Sequence, residues 1–151
     1  MIILGLDPGI ARTGYGVLDT AESNLFVRCG CLTTSKAMPV EDRLHMLAED
    51  LTLLIKETRP DLAVVEQIFF GANRKTGMLT AQARGVLLYV LRQHHITIET
   101  LTPLQIKSRL TGYGTAKKEQ IQSVVQQQLH LSTAPEPDDA ADALAAALCF
   151  A

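Results

Sequence analysis

Four carboxylates in this chain have the residue types and spacing to hold a hard cation. Asp7 and Glu66 each end a short, nearly unbroken apolar run, Ile2–Leu6 and Leu62–Val65, and Asp139 and Asp142 stand three residues apart in a C-terminal stretch of helical character. An acid at the end of a buried strand is costly unless something offsets its charge. Carboxylate and water oxygens are the ligands that Mg²⁺ and Mn²⁺ prefer. Two such ions about 4 Å apart activate a water and stabilise the leaving oxygen in phosphodiester cleavage. Metal-assisted hydrolysis of a phosphate ester is therefore the first expectation. Acids in a first helical turn also answer the helix dipole, and Asp138 is four residues from Asp142, so spacing alone does not choose between Asp138 and Asp139.

The elements that must position these acids are legible in outline. Apolar patterning predicts strands at Ile2–Asp7, Thr13–Asp19 and Leu25–Thr33, joined as an antiparallel meander after the Pro8–Gly9 turn. Helical spacing of Val40, Leu44, Leu47, Leu51 and Leu54 predicts a helix from about Pro39 to Thr58. The strand Leu62–Glu66 follows, and a strand, a crossover helix and a second strand favour parallel pairing. A second helix carries Leu79, Ala83, Leu87 and Leu91, and a further strand spans Ile96–Leu101. Thr102–Pro103 opens a short helix to Leu110. Lys117–Leu129 and Asp138–Phe150 complete the helices. The fold class read from this order is α/β: a mixed five-stranded sheet, three antiparallel strands then parallel ones, with helices on both faces and residues 1–151 in one domain. Parallel neighbours bring Asp7 and Glu66 out at the same sheet edge, where α/β proteins collect ligands. Gly14 and Gly16 inside a strand mark either a close approach, such as a phosphate backbone near Asp7, or a twisted hairpin.

Charge is segregated along the chain. The net charge is −2, yet residues 67–118 hold eight Lys/Arg against the single acid Glu99, a middle segment at +7 suited to tracking a polyanion. No apolar run approaches the ~18 residues of a membrane span, and Met1–Leu6 reads as a strand rather than a signal peptide. Cys29, Cys31 and Cys149 read as reduced thiols of a cytoplasmic protein. The sequence contains no phosphate loop of the G-x-x-x-x-G-K-[ST] type, no zinc spacing among its cysteines and histidines, and no G-x-S-x-G elbow.

Five segments in order carry a resemblance: Leu4-Gly5-Leu6-Asp7-Pro8-Gly9 with Thr13-Gly14-Tyr15-Gly16; Val65-Glu66-Gln67-Ile68-Phe69; Gln82-Ala83-Arg84-Gly85; Gly112-Tyr113-Gly114 with Lys118; and Asp139-Ala140-Ala141-Asp142-Ala143-Leu144-Ala145. Together they resemble the RuvC family of Holliday junction resolvases across nearly the whole chain. The resemblance implies an RNase H-like fold, a homodimer with two active sites, and paired symmetric nicking of a four-way DNA junction. It implies two Mg²⁺ per site, with Mn²⁺ able to substitute, a water nucleophile, and 5′-phosphate and 3′-hydroxyl ends. It assigns Asp7, Glu66, Asp139 and Asp142 as catalytic metal ligands, selecting Asp139 over Asp138. It places Phe69, Gln82, Arg84, Lys107 and Lys118 towards DNA, the second helix at the dimer interface, and a branch-migration motor of RuvA and RuvB type as a partner. Two further readings stand beside it: a relative that binds junctions without cutting, and a fragment of an actin-like phosphotransferase, whose Asp-x-Gly hairpin holds a nucleotide phosphate.

Overall fold

The computed structural model describes residues 1–68 and 74–151. Its strands are β1 (Ile2–Asp7), β2 (Arg12–Asp19), β3 (Phe26–Thr33), β4 (Leu62–Glu66) and β5 (Thr97–Leu101), in the spatial order β3-β2-β1-β4-β5. β1 pairs antiparallel with β2, setting Asp7 opposite Gly14, and β2 pairs antiparallel with β3. β1 pairs parallel with β4, setting Leu6 opposite Val65, and β4 parallel with β5. The parallel β1–β4 register is the feature that matters most for function, because it carries Asp7 and Glu66 to the same edge.

Alternation along the central strands explains the two-sided burial. Leu4, Leu6, Ala63 and Val65 face a core built with α1 (Val40–Thr58) and α2 (Arg74–Gln93), while Ile3, Leu62 and Val64 face a second core built with α3 (Pro103–Thr111), α4 (Lys118–Gln128) and α5 (Asp138–Leu148). A strand covered on both faces has no polar side to show, so β1 and β4 read as continuous apolar runs. α1 stops at Arg59, which adopts a left-handed conformation (φ 49°) and donates its backbone N–H to the Ile55 carbonyl at 2.7 Å, and Pro60 bars continuation. α3 starts at a reciprocal cap in which Thr102 and Gln105 satisfy each other's backbone N–H. α2 begins five residues before the apolar stripe at Leu79, because its first turns carry no apolar period by which sequence could mark them.

The glycines of β1 and β2 have a definite use. A Cβ on Gly5 would collide with the Ala143 carbonyl, and one on Gly14 would collide with the Asp139 backbone. Gly16 lies under Leu144 in the same way. What approaches these strands is α5, an alanine-rich helix seated almost directly on the sheet backbone, with Ala140, Ala141 and every residue from Ala143 to Leu148 buried. Of the two explanations open at the sequence level, neither a DNA phosphate nor hairpin twist accounts for Gly14; helix contact does. That contact delivers Asp139 and Asp142 to the end of β1.

Candidate active site

Asp7 is held by a braced turn. The Thr13 hydroxyl donates to the Gly9 carbonyl at 2.7 Å, closing the link between β1 and β2. The Thr34 hydroxyl donates to the Ile10 carbonyl, and the buried Arg43 donates from Nε to Thr34 Oγ1 at 3.0 Å, tying the turn to α1. Glu66 is braced from its backbone: Arg84 of α2 donates from Nε to the Glu66 carbonyl at 3.3 Å and from Nη2 to the Thr100 hydroxyl at 3.3 Å. The DNA-facing role expected of Arg84 therefore meets a guanidinium already engaged at the ends of β4 and β5.

Asp7, Glu66 and Asp142 are all raised by this setting. Burial, then the negative charges of Asp142 and Asp139, push Asp7 up to about 7. Burial, then Asp7 and Asp142, push Glu66 up to about 8. Asp142 is raised mainly by burial, against the opposing pull of Lys118. Like charges crowded into a partly buried edge hold protons into the neutral range where desolvation and mutual repulsion outweigh the nearby cations.

Cations stand at both flanks. Lys118 Nζ lies 3.4 Å from Asp142 Oδ2 and 3.1 Å from Asp138 Oδ2, and Gln122 donates to Asp138 Oδ1 at 3.0 Å. Lys118 holds the exposed Asp138 below its ordinary range. Arg12 Nε lies 3.0 Å from Asp139 Oδ2, an atom that is itself buried and has no aligned hydrogen bond; the ion pair is close but not well directed. A cleft of about 210 Å³ beside the acids is lined by Glu66, Asp142, Lys107 and Lys118, with Ile106 and Ile121 as its apolar wall. Gln82 is exposed on α2, whereas Phe69 lies outside the described residues.

The chemistry of this edge is that of oxygen donors and nothing softer. Among the described residues no three histidines, cysteines or acids converge into a ready metal cage. The donor set nevertheless suits Mg²⁺ or Mn²⁺: all oxygen, a buried Asp139 Oδ2 with no aligned hydrogen bond, and two carboxyls, Asp7 and Glu66, whose ionisation added positive charge would favour. Sequence reasoning passed over Arg12 and Gln122, and weighed Asp138 only as an alternative to Asp139. Arg12 was detectable only as the first residue to return from the turn after Asp7, and the Asp138–Gln122 pair joins consecutive helices whose docking no local pattern specifies.

A mixed sheet in the order β3-β2-β1-β4-β5, flanked by helices and with acids where β1, β4 and α5 meet, defines an RNase H-like protein. The chain matches the family described as "Crossover junction endodeoxyribonuclease RuvC" over residues 3–150. A relative of that name from Natranaerobius thermophilus is 45% identical over 150 residues, covering 99% of this chain and 93% of the relative. The Thermus thermophilus RuvC structure superposes with a TM-score of 0.89 at 29% identity, covering 99% of this chain and 92% of the other. The structure of T. thermophilus RuvC in complex with a Holliday junction substrate superposes with a TM-score of 0.88 at 28% identity, covering 99% and 91%. The chain belongs to the RuvC family of crossover junction endodeoxyribonucleases. Among the described residues no helix is long and apolar enough to cross a membrane.

Proposed function

We propose that this protein resolves four-way DNA junctions by paired symmetric nicks, with residues 1–151 acting as one nuclease domain and Asp7, Glu66, Asp139 and Asp142 as its catalytic metal ligands. The observation that carries the proposal is the placement of Asp7 and Glu66 at the ends of neighbouring parallel strands beside α5, where burial and the charge of neighbouring acids raise the affinity of both for protons although Lys107 and Lys118 stand nearby. Such an edge is poised to exchange protons for divalent cations. Bound there, two Mg²⁺ or Mn²⁺ would supply Lewis-acid stabilisation of the phosphodiester and a more acidic water.

The chain's own residues do the remaining work. Asp7 and Glu66 project from strands whose backbones are fixed by the β1–β4 ladder, so the acids need little reorganisation as a strand is bound. Asp139 and Asp142 stand three residues apart on α5, the helix that packs on the sheet face carrying Gly5 and Gly14. Lys107 and Lys118, at the mouth of the cleft, draw the phosphate backbone towards the acids, with Gln82 and Phe69 completing the DNA-facing set. Arg84 holds the Glu66 carbonyl and contributes to DNA binding by keeping that edge in place. Opposed cuts at a symmetric junction call for two copies of this site, hence a homodimer, working in the bacterial cytoplasm with a branch-migration motor of RuvA and RuvB type. The products are 5′-phosphate and 3′-hydroxyl ends.

The direct test is a four-way junction carrying a label on each strand, incubated with the protein and Mg²⁺. Paired nicks on opposed strands, lost in Asp7→Asn, support the proposal. Uncut junction, or cutting that Asp7→Asn leaves unchanged, refutes it.

A further inference from the structure

We propose that Arg12 is an exchange cation for the acid edge: it neutralises Asp139 in the free protein and, once a divalent cation takes that carboxylate, turns its guanidinium onto a phosphate of the bound strand. The inference rests on the cation-binding role proposed above and extends it to a residue outside the motifs that identify the family.

The geometry places Arg12 between two anions. It opens β2, two residues before Gly14, the residue that pairs with Asp7 and lies under the Asp139 backbone. Its Nε is 3.0 Å from Asp139 Oδ2, with the Arg12 side chain 57% exposed and that of Asp139 27%. The exposed guanidinium therefore reaches down to a more sheltered carboxylate from the solvent side. Oδ2 of Asp139 has no aligned hydrogen bond, so the pair is held by charge rather than by a directed fork. A pair of this kind exchanges readily. A guanidinium cannot lose its proton at any ordinary pH, so once displaced from the carboxylate it remains a cation available to another anion. A phosphodiester oxygen is the anion that a nuclease brings to this edge, and the guanidinium fork matches it.

Placement on the edge supports the same assignment. Lys107 and Lys118 border the cleft on the side of Glu66 and Asp142. Arg12 stands on the other side, by Asp139, where its charge also reaches Asp138 and Cys31. A strand laid across the acids would meet lysines on one bank and Arg12 on the other. A second role follows: while Arg12 remains on Asp139 it competes with a cation for that carboxylate.

The experiment uses the full chain and Arg12→Gln. Calorimetric titration of the DNA-free proteins with Ca²⁺, a hard cation that accepts carboxylate ligands, reads the competition. Removing Arg12 is expected to tighten the isotherm by about three- to fivefold, the reach of a partly exposed ion pair. Junction binding is then measured by fluorescence anisotropy in EDTA and in Ca²⁺, with strand integrity checked on the same samples. With Ca²⁺, Arg12→Gln is expected to weaken binding about tenfold, as for one charge-assisted hydrogen bond, and to lower the salt slope by about 1. In EDTA the two proteins should bind alike, with the same melting temperature. Equal loss in both buffers would make Arg12 a permanent DNA contact or a fold element and overturn the exchange. Unchanged binding in both buffers, or an unchanged Ca²⁺ isotherm, would also overturn it. If the wild-type protein gives no Ca²⁺ heat, the cation-binding reading fails instead, and the exchange with it.

Discussion

The Asp139 backbone rests on Gly14, so closely that the glycine has no room for a Cβ. The strand residue opposite Asp7 is thus also the floor on which a third carboxylate stands. One backbone contact sets the spacing between an acid of β1 and an acid of α5, although the two lie 132 positions apart in sequence. Any side chain at position 14 must lift α5, and lifting α5 withdraws Asp139 and Asp142 together. Gly14→Ala is therefore expected to lose about 3 kcal/mol, the upper end for an overpacked core, measured by urea denaturation. Its residual folded fraction should bind Ca²⁺ more weakly than wild type. A variant of wild-type stability would mean that α5 has slack.

The pH dependence of stability has a sign opposite to that of most carboxylates. Burial and repulsion from neighbouring acids push Asp7 to about 7 and Glu66 to about 8 in the folded chain, against ordinary values of 3.8 and 4.5. Between those limits the folded state holds more protons than the unfolded state, so stability must fall as pH rises. The stabilising contribution is complete below about pH 4 and lost as pH passes 7 to 8. In cation-free buffer the melting temperature should decline from pH 5.5 to 8.5, and Asp7→Asn should flatten that decline. Added Mg²⁺ should restore stability more at pH 8 than at pH 5.5, because protons then compete less for the same oxygens.

Neighbouring acids on one helix should behave differently. Asp138 is exposed and engaged by Lys118 and Gln122, whereas Asp139 faces Asp7 over Gly14. Asp139→Asn is expected to reduce junction cleavage by about 10²-fold or more, the size of losing one electrostatic stabiliser in a preorganised site. Asp138→Asn should stay within about fivefold of wild type, as expected when a surface ion pair is removed. Single-turnover cleavage measures both, and reversal of that order would reassign the motif.

Arg84 distinguishes bracing from DNA contact. Its guanidinium is committed to the Glu66 carbonyl and the Thr100 hydroxyl. Arg84→Ala should slow cleavage about tenfold, the worth of a lost charge-assisted hydrogen bond, while leaving the salt slope of junction binding unchanged. A slope reduced by about 1 would place the guanidinium on a phosphate instead.

Most of the architecture was legible in the sequence because it follows from burial. β1 and β4 announced themselves as unbroken apolar runs, and the helix between them forced a parallel pairing that gathers Asp7 and Glu66. Those signals are local or follow from connection rules. The means of bringing α5 to the edge was not legible. Sequence cannot tell a glycine that admits a helix from one that admits a phosphate or eases a hairpin, and only the latter two were read at Gly14. Nor does sequence show that Arg12 meets Asp139, or that Lys118 is shared by Asp138 and Asp142, since those pairs form only once α4 and α5 have docked. The expected dense cage was also not visible among the described residues, where cations stand against the two helix acids in its place.

Divalent-cation binding at the edge formed by Asp7, Glu66, Asp139 and Asp142 is decided by anomalous scattering from crystals of the full chain equilibrated with Mn²⁺. Manganese is expected beside the carboxylates of Asp7, Glu66 and the α5 acids, with Lys118 and Arg12 displaced from Asp142 and Asp139. Fully occupied manganese elsewhere on the chain, with both ion pairs intact and the four acids bare, would contradict it.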